Sequence, residues 1–187
     1  MMDHFGLIAP YYDRIFKSGE RGWLFDIVGL PITGTLLDAG GGTGRIAQLL
    51  KTRVSQVVVA DLSFDMLMQA HAKGGLETAC THTERLPFPS NYFDRVIMID
   101  ALHHVGDQAE TAQELWRVLK HGGRLVIEEP DVRTFGVKIL ALAEKLLGMR
   151  SHFLAPTIIA SLFDGNAKCQ ITSKGAISWV IIDKPAK

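Results

Sequence analysis

The segment Leu37-Asp38-Ala39-Gly40-Gly41-Gly42-Thr43-Gly44-Arg45-Ile46 constrains this chain more than any other. It follows a short apolar run, Thr35 to Ala39, and precedes residues with helical spacing, Ile46, Leu49 and Leu50. Four glycines in five positions let the backbone turn sharply and let a ligand approach with no Cβ in the way. A strand-to-helix turn of this kind is where open α/β sheets bind their ligands.

The rest of the chain repeats the same rhythm. Val57–Asp61, Leu76–Thr81, Arg95–Asp100 and Arg124–Glu128 read as further strands. Most are apolar on successive positions, as a sheet covered on both faces requires. Between them, Ser63 reads as a helix N-cap ahead of Met66, Leu67 and Ala70. Ala112, Leu115, Trp116 and Leu119 give a helical stripe that His121-Gly122-Gly123 is expected to stop. Strand and helix in alternation predict a parallel sheet with helices on both faces. Two short helical stretches, Ile8–Phe16 and Glu20–Val28, precede the first strand. Residues 135–164 read as helical and largely apolar, and Lys168–Ser173 with Ala176–Ile182 reads as a β-hairpin closing the sheet. A length of 187 residues suits one domain that buries roughly 70% of its unfolded surface.

The loop discriminates among ligands. A dinucleotide fingerprint needs a small residue at the third position of its glycine pattern, which here is Arg45. A phosphate-binding P-loop needs a Lys-Ser/Thr pair after the glycines, and none follows. The glycines instead run as GxGxG through Gly40, Gly42 and Gly44, with Asp38 just before them. An acid there suits a ligand carrying an amino group and a sulfonium better than one carrying phosphates. Asp61 ends the second strand, 21 residues after Gly40, where a carboxylate can take both hydroxyls of a ribose. Asp61 alone points to an adenosine ligand without choosing between NAD and S-adenosylmethionine.

Several motifs in order carry a family resemblance: Asp38–Gly44; Val59-Ala60-Asp61-Leu62-Ser63 with Met66-Leu67; Glu84-Arg85-Leu86-Pro87-Phe88; Phe93-Asp94; Ala101-Leu102-His103-His104-Val105; and Glu114–Lys120 with Gly122-Gly123. Over roughly residues 5–130 the chain resembles a small class I S-adenosylmethionine-dependent methyltransferase of the ubiquinone/menaquinone-biosynthesis type (Methyltransferase type 11). The resemblance implies a Rossmann-like, doubly wound, seven-stranded and mostly parallel sheet with a C-terminal antiparallel hairpin and a helical cap. It implies one methyltransferase domain: a helical lid at 1–30, a cofactor-binding core at 31–130, a cap insertion at 131–165 and the closing hairpin at 166–187. S-adenosyl-L-methionine is then the cofactor. Gly40 and Gly42 are expected at its methionine part, Asp61 at the ribose, and Leu62 and Met66 on either side of the adenine, with Asp38 and Gly44 also among the cofactor-binding residues. The family's acid for the adenine amino group is replaced here, where the three residues read His82-Thr83-Glu84. The His82 ring or the Thr83 backbone is expected to take over that contact, with Glu84 beside them. Asp100 is expected near the methyl group, and Tyr12, after Tyr11, in the segment that closes over the cofactor.

Methyl transfer from a sulfonium is an in-line displacement that needs alignment and exclusion of water more than protein chemistry. A general base adds about 10²–10⁴-fold where the acceptor holds its proton tightly. His103 and His104, after the fourth strand, are the candidates for that catalytic role. The insertion offers Phe135, Leu140, Leu147, Met149, Phe153 and Leu154 as an apolar lining for a small hydrophobic or aromatic acceptor. Two alternatives from other classes are a catalytically silent cofactor-binding module acting through a partner, and an NAD-linked oxidoreductase. The failed third glycine and the lack of a Tyr-x-x-x-Lys pair count against the oxidoreductase.

Composition narrows the setting. Twenty Lys+Arg against twenty Asp+Glu leave no basic excess for nucleic acid. Cys80 and Cys169 have neither zinc-site nor framework spacing, no metal site is expected, and a reducing compartment is the default. The longest apolar run is five residues, Ile139–Ala143, far short of a membrane span. The early Asp3 argues against a secretory signal, so a cytoplasmic protein is expected.

Overall fold

The computed structural model describes residues 22–139, 151–163 and 165–187. In chain order the elements are α1 (Gly22–Val28), β1 (Thr35–Ala39), α2 (Arg45–Leu50), β2 (Gln56–Asp61), α3 (Phe64–Ala72), β3 (Glu77–Cys80), β4 (Phe93–Ile99), α4 (Gln108–Val118), β5 (Leu119–Pro130), α5 (Pro156–Ser161), β6 (Lys168–Lys174) and β7 (Ile177–Asp183). Single 3₁₀ turns occupy Lys51–Arg53 and Leu102–His104.

The strands form one seven-stranded sheet in the order β3-β2-β1-β4-β5-β7-β6. β1 to β5 pair in parallel, and β7 then runs antiparallel to both β5 and β6. The doubly wound, mostly parallel sheet and its antiparallel close agree with the sequence reading. Residues alternate between faces along each strand. On one face Leu37, Ala39, Val96, Met98, Leu125 and Ile127 pack with Ala112, Leu115 and Val118 of α4 and Ile159 of α5. On the other Leu36, Val57, Val59, Ile97 and Val126 pack with Leu24 and Val28 of α1 and with α2 and α3. Burial on both sides is why these strands are apolar at consecutive positions.

Two guanidinium groups fix α1 to the sheet. Arg95 donates to Val28 O and Gly29 O, and Arg124 donates to Ile27 O while holding Asp183 with two further bonds. Cations at the open carbonyls of a helix C-terminus complement its dipole as well as its hydrogen bonding.

One boundary differs from expectation. α4 ends at Val118 and β5 begins at Leu119, so His121-Gly122-Gly123 lies inside a strand and does not stop the helix. The β4–β5 register shifts between Phe93 and Arg95, beside these glycines. A Cβ on Gly123 would lie 2.8 Å from both Leu119 Cδ1 and Lys120 O, so glycine is required there by close approach within an irregular strand. Of the expected cap, residues 135–139 and 156–161 are helical, and residues 140–150 lie outside the described residues, with Leu140, Leu147 and Met149 among them. The helical stretch expected at Ile8–Phe16 also lies outside them.

Phe93 is fully buried and meets Phe88 and Tyr92 edge-on at 5.0 and 4.9 Å. Phe93→Ala is therefore expected to cost about 3–5 kcal/mol, read as a lower urea midpoint at unchanged slope.

Candidate functional site

The strand order reverses at β1, which has β2 on one side and β4 on the other. That reversal opens a crevice at the carboxyl ends of β1 and β4, where open α/β sheets place their ligands. The glycine loop fills one side of it. Gly40, Gly42 and Gly44 all have left-handed backbones, with φ of 69°, 54° and 69°, and Gly44 stands at the N-cap of α2. A Cβ on Gly40 would lie 2.7 Å from the Ala101 Cβ, so the loop touches the turn after β4 directly. The loop's N–H groups are spent internally. Gly40 and Gly41 donate to Ala60 O, Gly42 to Asp61 Oδ2, and Gly44 to Gly41 O. A phosphate cradle needs such groups free to face its anion, and these four glycine N–H groups are engaged within the protein.

Asp61, at the end of β2, is half-buried. Its Oδ2 accepts from Gly42 N and its Oδ1 from Ser63 N, each at 2.8 Å. One carboxylate thus ties the glycine loop to the start of α3. Leu62 beside it is 56% exposed and able to cover a flat ring. Met66 is only 2% exposed: helical spacing turns it inward with Leu67 and Ala70, which removes it from the adenine surface.

The His82-Thr83-Glu84 segment divides its labour. His82 is exposed, with Nδ1 3.9 Å from Glu84 Oε2. Thr83 is buried, its hydroxyl 3.3 Å from that of Thr111. Glu84 Oε1 accepts from Gly106 N and Asp107 N, stitching this loop to the one before α4. An open cavity of about 600 Å³ runs along Thr81, His82, Glu84, Gly106 and Asp107, at the carboxyl end of β3.

Asp100, just past β4, is exposed and holds a φ of 56°, fixed by its N–H donating to Glu128 O. Positive φ is uncommon outside glycine, and Asp is among the residues that tolerate it. The histidine pair follows. His103 is 3% exposed, its Nδ1 2.6 Å from Glu129 Oε2 and its ring stacked on Phe153 at 4.4 Å. His104 is half-buried, with Nδ1 3.3 Å from Ser151 Oγ. His103 O also accepts from His152 N, and Gln108 reaches His152 O. The pair thus grips residues 151–153, the return of the insertion. Leu154 packs on the core, while Phe135 is 79% exposed. Tyr12 lies outside the described residues.

Glu129 was not singled out from the sequence. The signal for it is Glu128-Glu129 at the end of an otherwise apolar buried strand. Period-two alternation sends the two side chains to opposite faces, Glu128 to the Trp179 indole N–H at 2.6 Å and Glu129 to His103.

Asp38 is 1% exposed and lies beneath the loop, not in the crevice. A Cβ on Gly41 would sit 2.6 Å from its Cγ. Burial raises its pKa to about 7, against the Ala47 N–H that it accepts, with the Asp61 charge raising it further and Arg45 lowering it. Its Oδ2 has no hydrogen-bond partner. Between the ordinary value of 3.8 and about 7 the folded chain keeps a proton that the unfolded chain has released. This residue's contribution to stability therefore falls as pH rises through that window. Asp38→Asn should match the parent near pH 4 and exceed it by roughly 2–4 kcal/mol above pH 7, measured by urea unfolding across pH.

Comparison with known proteins agrees with this geometry. Residues 37–127 match the family described as "Methyltransferase domain". The ubiquinone/menaquinone biosynthesis C-methyltransferase UbiE of Serratia proteamaculans is 34% identical, over 83% of this chain and 67% of its own length. The demethylmenaquinone methyltransferase of Deinococcus radiodurans is 34% identical, over 69% of this chain and 59% of its own length. The chain spans about half, 48%, of the Vibrio cholerae UbiE proteins that it also matches. Among solved structures, a Haloferax volcanii putative methyltransferase, in complex with the Trm112 methyltransferase activator, superposes with a TM-score of 0.83 at 16% identity, over 99% of both chains. A Thermotoga maritima SAM-dependent methyltransferase, described as a possible histamine N-methyltransferase, gives 0.78 at 22% identity, over 98% of this chain and all of its own. The chain belongs to the class I S-adenosylmethionine-dependent methyltransferases of the ubiquinone/menaquinone-biosynthesis type, a family whose cofactor is S-adenosylmethionine.

Proposed function

We propose that the chain transfers a methyl group from S-adenosylmethionine to a small apolar or aromatic acceptor, as a single cytoplasmic methyltransferase domain. The observation that carries this is Asp61. A half-buried carboxylate at the end of β2 accepts from Gly42 N and Ser63 N and stands directly beside the glycine loop, where an acid suits a ribose diol. The cofactor supplies an electrophilic methyl carried on a sulfonium. In the proposed arrangement Gly40 and Gly42 let the methionine part lie against the loop, Leu62 covers the adenine, and His82 or the Thr83 backbone meets its edge. Asp100 presents a carboxylate beside Gly40 at the positively charged end, and the histidine pair borders the acceptor.

The chemistry supports alignment as the main contribution. A ligand held against the Gly40–Ala101 contact has protein on one side and the 101–104 turn ahead of it. Orientation and loss of water there can supply roughly 7–11 kcal/mol. The two Deinococcus and Serratia relatives are named for quinone-precursor methylation, which favours an aromatic ring carbon or its hydroxyl as the acceptor. Among the described residues no helix is long and apolar enough to cross a membrane, and both cysteines are free and exposed, which supports a reducing cytoplasmic setting.

Calorimetry with S-adenosylhomocysteine tests the cofactor reading. Saturable one-to-one binding is expected, and its absence overturns the proposal. Asp61→Ala should weaken it by at least 50-fold, since two charge-assisted hydrogen bonds of about 1.5–3 kcal/mol each are lost. Unchanged affinity would remove Asp61 from the ribose. A panel of benzoquinols, 1,4-naphthoquinols, phenols and aromatic amines with labelled cofactor then separates an enzyme, which turns one over, from a silent module, which binds cofactor and turns over none.

A further inference from the structure

Glu129 gathers three partners from one turn, residues 101–103. Its Oε1 accepts from Ala101 N at 3.0 Å and from Leu102 N at 2.8 Å, and its Oε2 lies 2.6 Å from His103 Nδ1. Glu129 is 4% exposed, and His103 is 3% exposed. Ala101 is the residue against which Gly40 abuts, so the first two bonds fix the surface that meets the cofactor loop. The third fixes the His103 ring, which lies flat on Phe153 with planes 16° apart. His103 O holds His152 N at 2.8 Å. A chain of direct contacts therefore runs from Gly40 through the 101–103 turn to residues 152–153, with a single carboxylate at its centre.

We propose that Glu129 is a positioning residue for methyl transfer, holding the 101–103 turn under the methyl end of the cofactor crevice and, through His103, Phe153 on its acceptor side. This rests on the methyltransferase reading above. An ionised carboxylate accepts at both oxygens, and with Glu129 so charged the short contact puts a ring proton on His103 Nδ1. The burial of both partners makes the arrangement sensitive to one atom: leaving either without its partner is costly, so the turn, the ring and the segment move together. The adenosine end of the crevice, held by Asp61 and Leu62, is separate from this network.

Glu129→Gln isolates the role. The amide oxygen still accepts from Ala101 and Leu102, while its NH₂ now faces His103 Nδ1 and requires that nitrogen to be the acceptor. Long-range ¹⁵N–¹H correlation of the imidazole, assigned with His103→Gln, should show an Nδ1–H ring in the parent chain and an Nε2–H ring in Glu129→Gln. The His152 amide should exchange at least 10-fold faster. S-adenosylhomocysteine affinity should stay within 3-fold, while kcat for the acceptor that turns over in the panel falls at least 10-fold. A parent-like tautomer with parent-like His152 exchange overturns the proposal. So does a loss of cofactor affinity as large as the loss of turnover, which would make Glu129 a general structural residue. Should Glu129→Gln fail to fold, Phe153→Leu keeps the carboxylate–imidazole pair. It should raise acceptor KM or lower kcat at least 5-fold with S-adenosylhomocysteine affinity unchanged, and parent-like acceptor kinetics would overturn the proposal. Failure of the methyltransferase reading has its own signature, the absence of S-adenosylhomocysteine binding by the parent chain.

Discussion

The carboxylate of Asp61 is the joint on which the ligand end of this protein depends. It stands at the tip of β2, yet its bonds go to the loop after β1 and to the turn into α3. Without it, three left-handed glycines would have little to select one loop conformation over others, since glycine loses more conformational freedom on folding than any other residue. With it, the Gly42 N–H is turned toward the end of β2, as those of Gly40 and Gly41 are turned to Ala60 O.

The acids at the strand ends show how position on the pleat decides a residue's work. Asp38 points beneath the loop and is driven toward neutrality by burial, while Asp61 and Asp100 keep contact with water and with the crevice. Glu128 and Glu129, adjacent in sequence, serve opposite faces of the sheet, one on the side of Trp179 and α1, the other on the side of the histidine turn. A carboxylate at the end of a strand is thus an electrostatic resource whose use is set by whether its residue number is odd or even within the strand.

Much of this was legible beforehand, for identifiable reasons. β1 was bounded at Thr35 and Ala39 because glycines end it abruptly, and its partners followed from apolar runs that only a doubly covered sheet explains. β5 was misjudged at its start because Leu119–Gly123 satisfies a helix stop as well as an irregular strand, and only the pairing with β4 decides between them. Met66 was placed at the adenine by family pattern, against its own spacing with Leu67 and Ala70, and the helix geometry prevailed. Asp38 was read as facing a ligand because sequence gives adjacency to the loop but not the side of the strand. The Glu129–His103 contact joins residues from two different strand ends, a pairing that no local sequence pattern marks.

The neighbour relation of β1 and β4 also sets when the crevice comes into being. Leu36 pairs with Arg95 and Asp38 with Ile97, so the two walls of the site come from segments about 60 residues apart, with β2, α3 and β3 between them, and the loop-closure entropy of that separation must be met before the pairing forms. A chain emerging from the ribosome can assemble β1, α2 and β2 with the glycine loop pinned to Asp61 while the Ala101 side is still missing. The glycine-loop wall of the crevice is local in sequence, whereas the Ala101 wall exists only when β4 lies against β1 and β5 has brought Glu129 to the turn after β4.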